Sequence, residues 1–412
     1  MKNHYKAIFF FAFLITMLIL IYEGLSLLIF STDLKNGEYG IPKDSYTFKV
    51  AEATKIYHTS MMLAVSSRFK ILKEKILLTL IYTALACCIL LDLPRKYIYK
   101  FSRNTINCYT CTYLNVDHVQ VAFTNIFVFL FSTLYLSEYI ETYLGISRYN
   151  WINTILIYFM LYFLVCPCVV FCIFLLFRMF GGQLILALYI SFIAKNLYEI
   201  FIEDDLSPTL RQLSAESFSE PVEKSLLDTK LGDKVFLDVD NSKETNAALV
   251  GLENQARIEI YGKFRDLPEK QQDSVLLHEI GHSIDHSLLK KLSVYFFIYG
   301  LELLTMLFLY NKGPKIFESE DLSKTTCFIL LFIIYEISMK ELIMAFYKLS
   351  SQRAETAADM WAKRAGFGEE LSKSLLYISI QEASYIRPTY LYNAIYAMHP
   401  SIFSRVELLN KK

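Results

Sequence analysis

The sequence lacks a net charge. Its 412 residues include 41 lysines and arginines against 41 aspartates and glutamates. A balanced chain creates no long-range field that would attract nucleic acid or steer a charged partner. We therefore do not expect a nucleic-acid partner, and other partners must be inferred from individual sites.

A disulfide framework is also missing. Most of the eight cysteines lie inside apolar runs, where a thiol usually acts as a small buried hydrophobic group. Cys108 and Cys111 form a C-x-x-C pair in a polar connection, but no second cysteine or histidine pair follows at the spacing of a metal site. We therefore do not expect a second metal there.

What the sequence has in abundance is apolar residues. The hydrophobic share is 54% and the aromatic share 15%, more than an ordinary soluble enzyme contains. The composition indicates a polytopic membrane protein with about seven transmembrane helices. The predicted spans are residues 7–30, 76–92, 119–136, 153–177, 184–201, 292–310 and 326–345.

The first span is predicted to remain as an anchor, because no small-residue cleavage site follows it. The polar segment 32–75 should form a loop with a helical arm at 48–69. Residues 1–201 thus hold five spans, 202–290 a soluble catalytic insertion, 291–345 two more spans, and 346–412 a C-terminal catalytic segment.

The soluble insertion combines α and β patterns. Residues 234–240, 246–252 and 256–261 are β-rich, and the last two are predicted to pair as a hairpin. The fold class is therefore mostly α, with a small α+β domain beside the membrane helices.

The segment LLHEIGHSIDH at 276–286 contains the H-E-x-x-H spacing in His278, Glu279 and His282. On a helix this spacing sets two imidazoles one turn apart on one face. A catalytic zinc needs three protein ligands and one open position for water, and Glu279 is placed to take the water's proton. An amphipathic helix can carry such residues by accident, so the third ligand is decisive.

A second helical run at 351–366 supplies a candidate for that ligand. Glu355 and Asp359 lie four residues apart, which suits a zinc ligand followed by a carboxylate that accepts the ring N–H of a ligand histidine. Two predicted spans separate His282 from Glu355. Both segments should therefore emerge on the same side of the membrane and could share one zinc ion.

Several ionisable residues leave alternatives open. Glu23 lies inside the first span, where it either faces protein or a wet cavity or extends toward the interface. Glu336 and Lys340 have the spacing of an ion pair, but could also line a water-filled cavity. His399 is either a surface residue or a donor to an oxyanion. His286 is predicted as a helix-surface residue.

With these residues in hand, the chain resembles the integral-membrane zinc CAAX prenyl proteases of the type I class. The resemblance is spread over the whole length. The matching features are Glu23, NAALVG at 246–251, HEIGH at 278–282, RAETAADMWA at 353–362 and HPSIFSR at 399–405.

The resemblance implies spans arranged around a large chamber, with one zinc ion at its cytosolic mouth. It implies His278, His282 and Glu355 as zinc ligands, Glu279 as the general base, and His399 as the group that stabilises the oxyanion. Similar proteins remove the C-terminal tripeptide after a farnesylated or geranylgeranylated cysteine, and some cut further upstream. Endoplasmic reticulum membrane, or the inner nuclear membrane, is the implied location.

It also implies supporting and substrate-binding residues. Asp359 and Arg405 would support the ligands, and Asn246 with Ala247 would lie on the edge strand that holds the substrate peptide. The turn at 242–245 is shorter here than in relatives, which affects substrate contacts. The rival interpretations are a broad-specificity membrane quality-control metalloprotease and an inactive zinc-stabilised scaffold, although the intact Glu279 argues against the scaffold.

Overall fold

The computed structural model describes residues 4–107, 118–144, 165–201, 209–239, 246–252, 255–262, 264–318 and 322–411. Cys108 and Cys111 lie outside these residues, as does the first part of the predicted span 153–177.

The described chain is mostly helical with one small sheet, which confirms the predicted fold class at that level. The helices are α1 (His4–Lys35), α2 (Tyr46–Glu52), α3 (Tyr57–Leu90), α4 (Asp92–Asn107), α5 (His118–Leu144), α6 (Cys166–Phe180), α7 (Gln183–Phe201), α8 (Glu220–Asp228), α9 (Glu269–Ile284), α10 (Ser287–Phe317), α11 (Lys324–Ile334), α12 (Lys340–Arg364), α13 (Gly368–Gln381), α14 (Tyr390–Tyr396) and α15 (Ile402–Asn410). A π-helical turn at Tyr335–Met339 joins α11 to α12.

Two helices of the described chain, over Lys6–Lys35 and Ser287–Phe317, are long and apolar enough to cross a membrane. Two bent helix pairs would bring the number to four if each pair counts as one span: α3 with α4, bent by 76°, and α6 with α7, bent by 108°. These helices agree with a membrane protein. The number seven remains a prediction.

The predicted helical arm at 48–69 is helical over 48–52 and 57–69, but it is interrupted between these segments and does not end at residue 69. Helix α2 ends at Glu52, and α3 begins at Tyr57 and continues without a break to Leu90, through the predicted start of a span at residue 76. The polar stretch around 70–75 suggested a boundary, but lysine, glutamate and leucine are good helix formers, so polarity alone does not end the helix.

A four-stranded sheet supports the HEIGH helix. Its strands are β1 (Leu210–Leu213), β2 (Val235–Asp238), β3 (Asn246–Val250) and β4 (Arg257–Tyr261), in the order β1-β2-β4-β3. The predicted hairpin is present, since β3 pairs antiparallel with β4, while β2 runs parallel to β4. Strand β1 was not predicted, because four residues are too few to show an alternating pattern.

The sheet and α9 share one hydrophobic core. Ile258 and Ile260 of β4 are fully buried in the same cluster as Leu276, Leu277 and Ile280 of α9. This packing holds the HEIGH helix against the sheet.

The chain divides into two compact units. The first contains Met1–Met17, Ile76–Phe192 and Tyr299–Leu342, and the second Leu18–Lys75, Ile193–Ile298 and Ile343–Lys412. All the predicted site residues belong to the second unit. The predicted boundaries at 201, 290 and 345 stay predictions.

The ionisable residues of the predicted spans have partners. Glu23 is buried and faces protein: its carboxylate lies 3.4 Å from the Arg68 guanidinium and accepts a hydrogen bond from the Thr389 N–H at 2.8 Å. Lys340 Nζ lies 2.7 Å from the Glu336 carboxylate, so the predicted ion pair is present.

Candidate metal centre

Helix α9 carries the first half of the candidate site. It begins after Pro268 with Glu269 in its first turn, where a carboxylate interacts favourably with the helix dipole. His278, Glu279 and His282 are all buried, and the two imidazole centroids lie 4.7 Å apart. The helix thus presents both rings and the carboxylate to one small volume.

His286 does not lie on the helix surface, contrary to the prediction. It is exposed, but it occupies the turn between α9 and α10 with a φ of 48°. This left-handed conformation lies outside the right-handed helical region and separates α9 from α10, which begins at the next residue.

Helix α12 brings Glu355 to the two imidazoles. The Nε2 atom of His278 lies 3.4 Å from Glu355 Oε2, and the Nε2 atom of His282 lies 3.3 Å from Glu355 Oε1. Tetrahedral zinc with bonds of about 2.0 to 2.2 Å to nitrogen and oxygen places its ligand atoms about 3.4 Å apart. Each imidazole therefore lies at the distance from the Glu355 carboxylate that is expected for two ligands of one zinc ion.

The carboxylate of Asp359 contacts the side of the His278 ring that faces away from Glu355. It is fully buried, and its Oδ1 lies 2.9 Å from Nδ1 of His278. Such a contact fixes the ring orientation and leaves Nε2 for a metal. Arg405 on α15 donates to both Asp359 oxygens, from Nε at 2.8 Å and from Nη2 at 2.7 Å.

The electrostatics of the group favour a bound cation. Burial raises the pKa of Glu355, but its hydrogen bonds with His278 and His282 outweigh burial and hold that pKa well below its usual range. The pKa of Asp359 is also lowered, since Arg405 and His278 outweigh burial. Burial lowers the pKa of His278, but Asp359 and Glu355 raise it to about 9. A metal that binds here must therefore displace a proton from His278.

A cavity of about 380 Å³ opens over these residues. The edge strand β3 contributes Asn246 and Ala247 to its wall, and the N–H of Leu249 donates to Glu279 Oε2 at 2.8 Å. His399 lies on the same cavity, with a side chain 63% exposed and its Nε2 3.7 Å from Glu355 Oε1. The predicted substrate and oxyanion residues are thus next to the predicted ligands.

Two residues at the site were missed from the sequence. Lys291 Nζ lies 3.6 Å from Glu355 Oε1 and lines the cavity. Its position could not be predicted, because the turn at His286 breaks the helical register between HEIGH and α10. Gln352 lies one turn before Glu355, so its place on the same face could have been predicted.

Gln352 contributes to the position of His399. Its amide donates to the carbonyl of Asn393 at 3.0 Å and of Ala397 at 2.9 Å, while Asn393 Nδ2 donates to the His399 carbonyl at 3.0 Å. These bonds tie the loop that carries His399 to the helix that carries Glu355.

Comparison with known proteins agrees with this arrangement. The profile of the family described as Peptidase family M48 matches residues 223–412. This segment, somewhat less than half of the chain, resembles an M48 peptidase domain. The M48 domain contains every predicted metal ligand and the predicted base, and M48 metalloproteases are zinc-dependent.

The fold is similar to that of a solved structure. The crystal structure of Ste24p from S. mikatae is similar over 97% of this chain and 99% of that chain, with a TM-score of 0.56 and 15% sequence identity. At this identity the likeness concerns the fold. No curated protein sequence matches the chain. The M48 match and the Ste24p-like fold support a Ste24-like membrane metalloprotease, as the resemblance implied, while the CAAX specificity stays a prediction.

Proposed function

We propose that the protein is a zinc metalloendopeptidase that removes the C-terminal tripeptide from prenylated CAAX proteins, with further cleavage upstream. The observation that carries the proposal is the convergence of two imidazoles and the Glu355 carboxylate beside a sheet edge, within an M48 domain. The Ste24p-like fold of the whole chain supports the substrate class.

His278, His282 and Glu355 would hold one zinc ion, since each imidazole lies 3.3–3.4 Å from the Glu355 carboxylate, close to the separation of two ligands on tetrahedral zinc. When bound, zinc supplies Lewis-acid polarisation of the scissile carbonyl and activation of water. Asp359 keeps His278 in the tautomer that leaves Nε2 free for the metal.

Glu279 acts as the general base. The Leu249 N–H holds one of its carboxylate oxygens, which orients the side chain toward the cavity. The carboxylate takes the proton of the attacking water and later gives it to the leaving amine. His399, on the cavity side of Glu355, donates a hydrogen bond to the oxyanion of the tetrahedral intermediate.

Lys291 increases the positive charge around that oxyanion. The site holds the carboxylates Glu279, Glu355 and Asp359, which zinc and Arg405 together would balance. The Lys291 ammonium then leaves the site one unit positive. A site with this charge stabilises the negative charge that develops during peptide hydrolysis.

The substrate peptide adds to β3 as a further strand. Strand β3 lies at the edge of the sheet, and its only described strand partner is β4. Asn246 and Ala247 lie where β3 borders the cavity, so an extended peptide beside them would lie across the metal ligands. The apolar helices of the chain hold the protein in the membrane that also accommodates the prenyl group of the substrate. This membrane is that of the endoplasmic reticulum or the inner nuclear membrane.

The test is incubation of the purified full chain with a farnesylated CAAX peptide, with and without a chelator, followed by mass analysis of the products. We expect release of an intact tripeptide that stops on chelation and resumes when zinc is added. Equal cleavage of the unprenylated peptide would favour a broad-specificity quality-control protease. No cleavage by zinc-loaded protein would favour the scaffold.

A further inference from the structure

Helix α4 exposes a stripe of large apolar and basic side chains. Leu93, Tyr97 and Phe101 are 86%, 77% and 61% exposed, and their spacing of four residues sets them on one face. Lys96 and Lys100 are exposed in the same stripe, since Lys96 follows Leu93 by three residues and Lys100 follows Tyr97 by three. Such a face suits a helix at the boundary between lipid and water.

The chain makes a sharp bend, called the corner below, between the end of α3 at Leu90 and the start of α4 at Asp92. Helix α4 leaves α3 at an angle of 76°. The buried guanidinium of Arg95 donates from Nη1 to the carbonyls of Ile89 at 3.0 Å and Leu90 at 3.2 Å, which are among those that the end of α3 leaves without a helical partner. Its Nη2 also donates to the carboxylate of Asp92. The bend is therefore held by hydrogen bonds of a buried cation.

Three apolar helices end at this corner. Lys6, at the start of the candidate span in α1, lies 3.4 Å from Asp92. Arg95 donates to the carbonyl of Phe317, the last residue of the candidate span in α10, at 3.1 Å. The apolar end of α3 is the third. The ends of apolar helices are expected at a membrane boundary, and a helix nearly perpendicular to α3 at that level would lie along the membrane surface.

We propose that α4 is a membrane-surface helix that binds anionic phospholipid headgroups. Leu93, Tyr97 and Phe101 enter the boundary between headgroups and acyl chains, while Lys96, Lys100 and the neighbouring Arg103 contact the headgroups. Within the described residues none of these three cations forms an ion pair, whereas Asp92 is paired with Arg95 and Lys6. The free charge of α4 is therefore positive, and it complements negatively charged lipids.

The first experiment measures how deeply α4 lies in the lipid bilayer. The variant Tyr97→Trp of the full chain is reconstituted into nanodiscs whose lipids carry bromine on the acyl chains. Quenching of its tryptophan fluorescence by the bromine is compared with that of the wild type. Leu227→Trp is the control, since Leu227 is 60% exposed on α8 of the M48 domain. We expect strong quenching at position 97 and little at 227. Equal quenching at both positions would overturn the surface helix.

The second experiment measures the lipid preference. The emission of Tyr97→Trp in detergent is titrated with dioctanoyl-phosphatidylglycerol, dioctanoyl-phosphatidylcholine or inorganic phosphate. We expect phosphatidylglycerol to bind at least about tenfold more tightly than phosphatidylcholine, because each basic residue near the surface adds to the attraction. Equal affinity for the two lipids overturns the anionic preference. An equal response to phosphate overturns a lipid surface in favour of a simple anion site.

Charge variants complete the test. Replacement of Lys96, Lys100 and Arg103 by glutamine should abolish the preference for phosphatidylglycerol. Replacement of the exposed Arg211, Lys224 and Lys270 by glutamine removes the same number of positive charges from the second compact unit and should leave the preference unchanged. A loss of preference in both triple variants would show an effect of net charge and overturn the assignment to α4.

Discussion

At the scale of single residues, the buried carboxylate of Asp359 connects α15 to the proposed metal ligand on α9. A fully buried carboxylate is costly unless its oxygens are paired. Arg405 satisfies both oxygens, and His278 occupies the remaining direction of Oδ1. The ion pair of Asp359 and Arg405 therefore positions the His278 ring, with Nε2 toward Glu355. In the proposed site, Asp359 and Arg405 would support the ligand set without contacting the substrate.

The roles of Glu279 and Glu355 can be separated by zinc content. Glu279→Gln keeps the shape of the side chain but removes the base, so we expect full zinc occupancy and a loss of activity of at least about a hundredfold. Glu355→Ala removes a proposed ligand, so zinc and activity should both be lost. Metal analysis of the purified variants checks this, and full zinc occupancy in Glu355→Ala would contradict the ligand assignment.

Lys291 offers a prediction with a neighbouring control. We expect Lys291→Met to lower kcat by about tenfold or more, since it removes a positive charge next to the developing oxyanion. The affinity for a phosphinic peptide, which imitates the tetrahedral intermediate, should fall in parallel, while the zinc content is unchanged.

Lys290→Met is the matched control for Lys291. Lys290 is the preceding residue of α10, but it is exposed and paired with Asp285 at 2.6 Å, so its loss should leave kcat and inhibitor affinity unchanged. Loss of zinc from Lys291→Met would instead indicate that Lys291 acts only through Glu355.

At the scale of elements, the site depends on how closely α9 approaches α12. Gly281 lies within HEIGH, and a Cβ at this position would lie 3.0 Å from Ala358 Cα and 3.0 Å from Trp361 Cβ. Any larger residue would push the two helices apart. The imidazoles belong to α9 and Glu355 to α12, so such a separation would also widen the ligand set.

We therefore expect Gly281→Ala to destabilise the protein by about 1–3 kcal/mol through overpacking and to weaken zinc binding. Gly300→Ala is the control, since Gly300 is also helical but a Cβ there meets nothing within 4 Å. That change should be neutral or stabilising by up to about 1 kcal/mol. Thermal unfolding and zinc competition titrations of both variants check the difference, and equal effects would show that the α9–α12 contact tolerates expansion.

Local patterns predicted some elements and missed others for physical reasons. The β-rich segments NAALVGL and ARIEIY, separated by a short connection, were sufficient to predict the hairpin that β3 and β4 form. HEIGH and E-x-x-x-D predicted residues that lie together, since each motif fixes its own helix face. Lys291 and the loop of His399 could not be placed, because a left-handed turn and long-range hydrogen bonds set their positions.

At the scale of the whole molecule, the proposed site constrains the membrane topology. His282 and Glu355 must lie on the same side of the membrane, since their side chains are 3.3 Å apart. Helix α10, between them, is long and apolar enough to cross once. The proposed site requires an even number of crossings between these residues, so if α10 crosses the membrane the chain must return before Glu355. The apolar helix α11 and the π-helical turn that follows are the segment available for that return.

Epitope tags test this return. A tag in the turn at His286 and a tag in the turn at Gly366 should be accessible from the same side of selectively permeabilised membranes, and a tag in the connection after Phe317 only from the other side. Both turns are exposed, and a Cβ at Gly366 meets nothing within 4 Å, so insertions there should be tolerated. If all three tags respond from one side, α10 does not span the membrane and the chain has fewer crossings than the resemblance implies. If the tags at 286 and 366 respond from opposite sides, one chain cannot supply His282 and Glu355 to the same zinc ion.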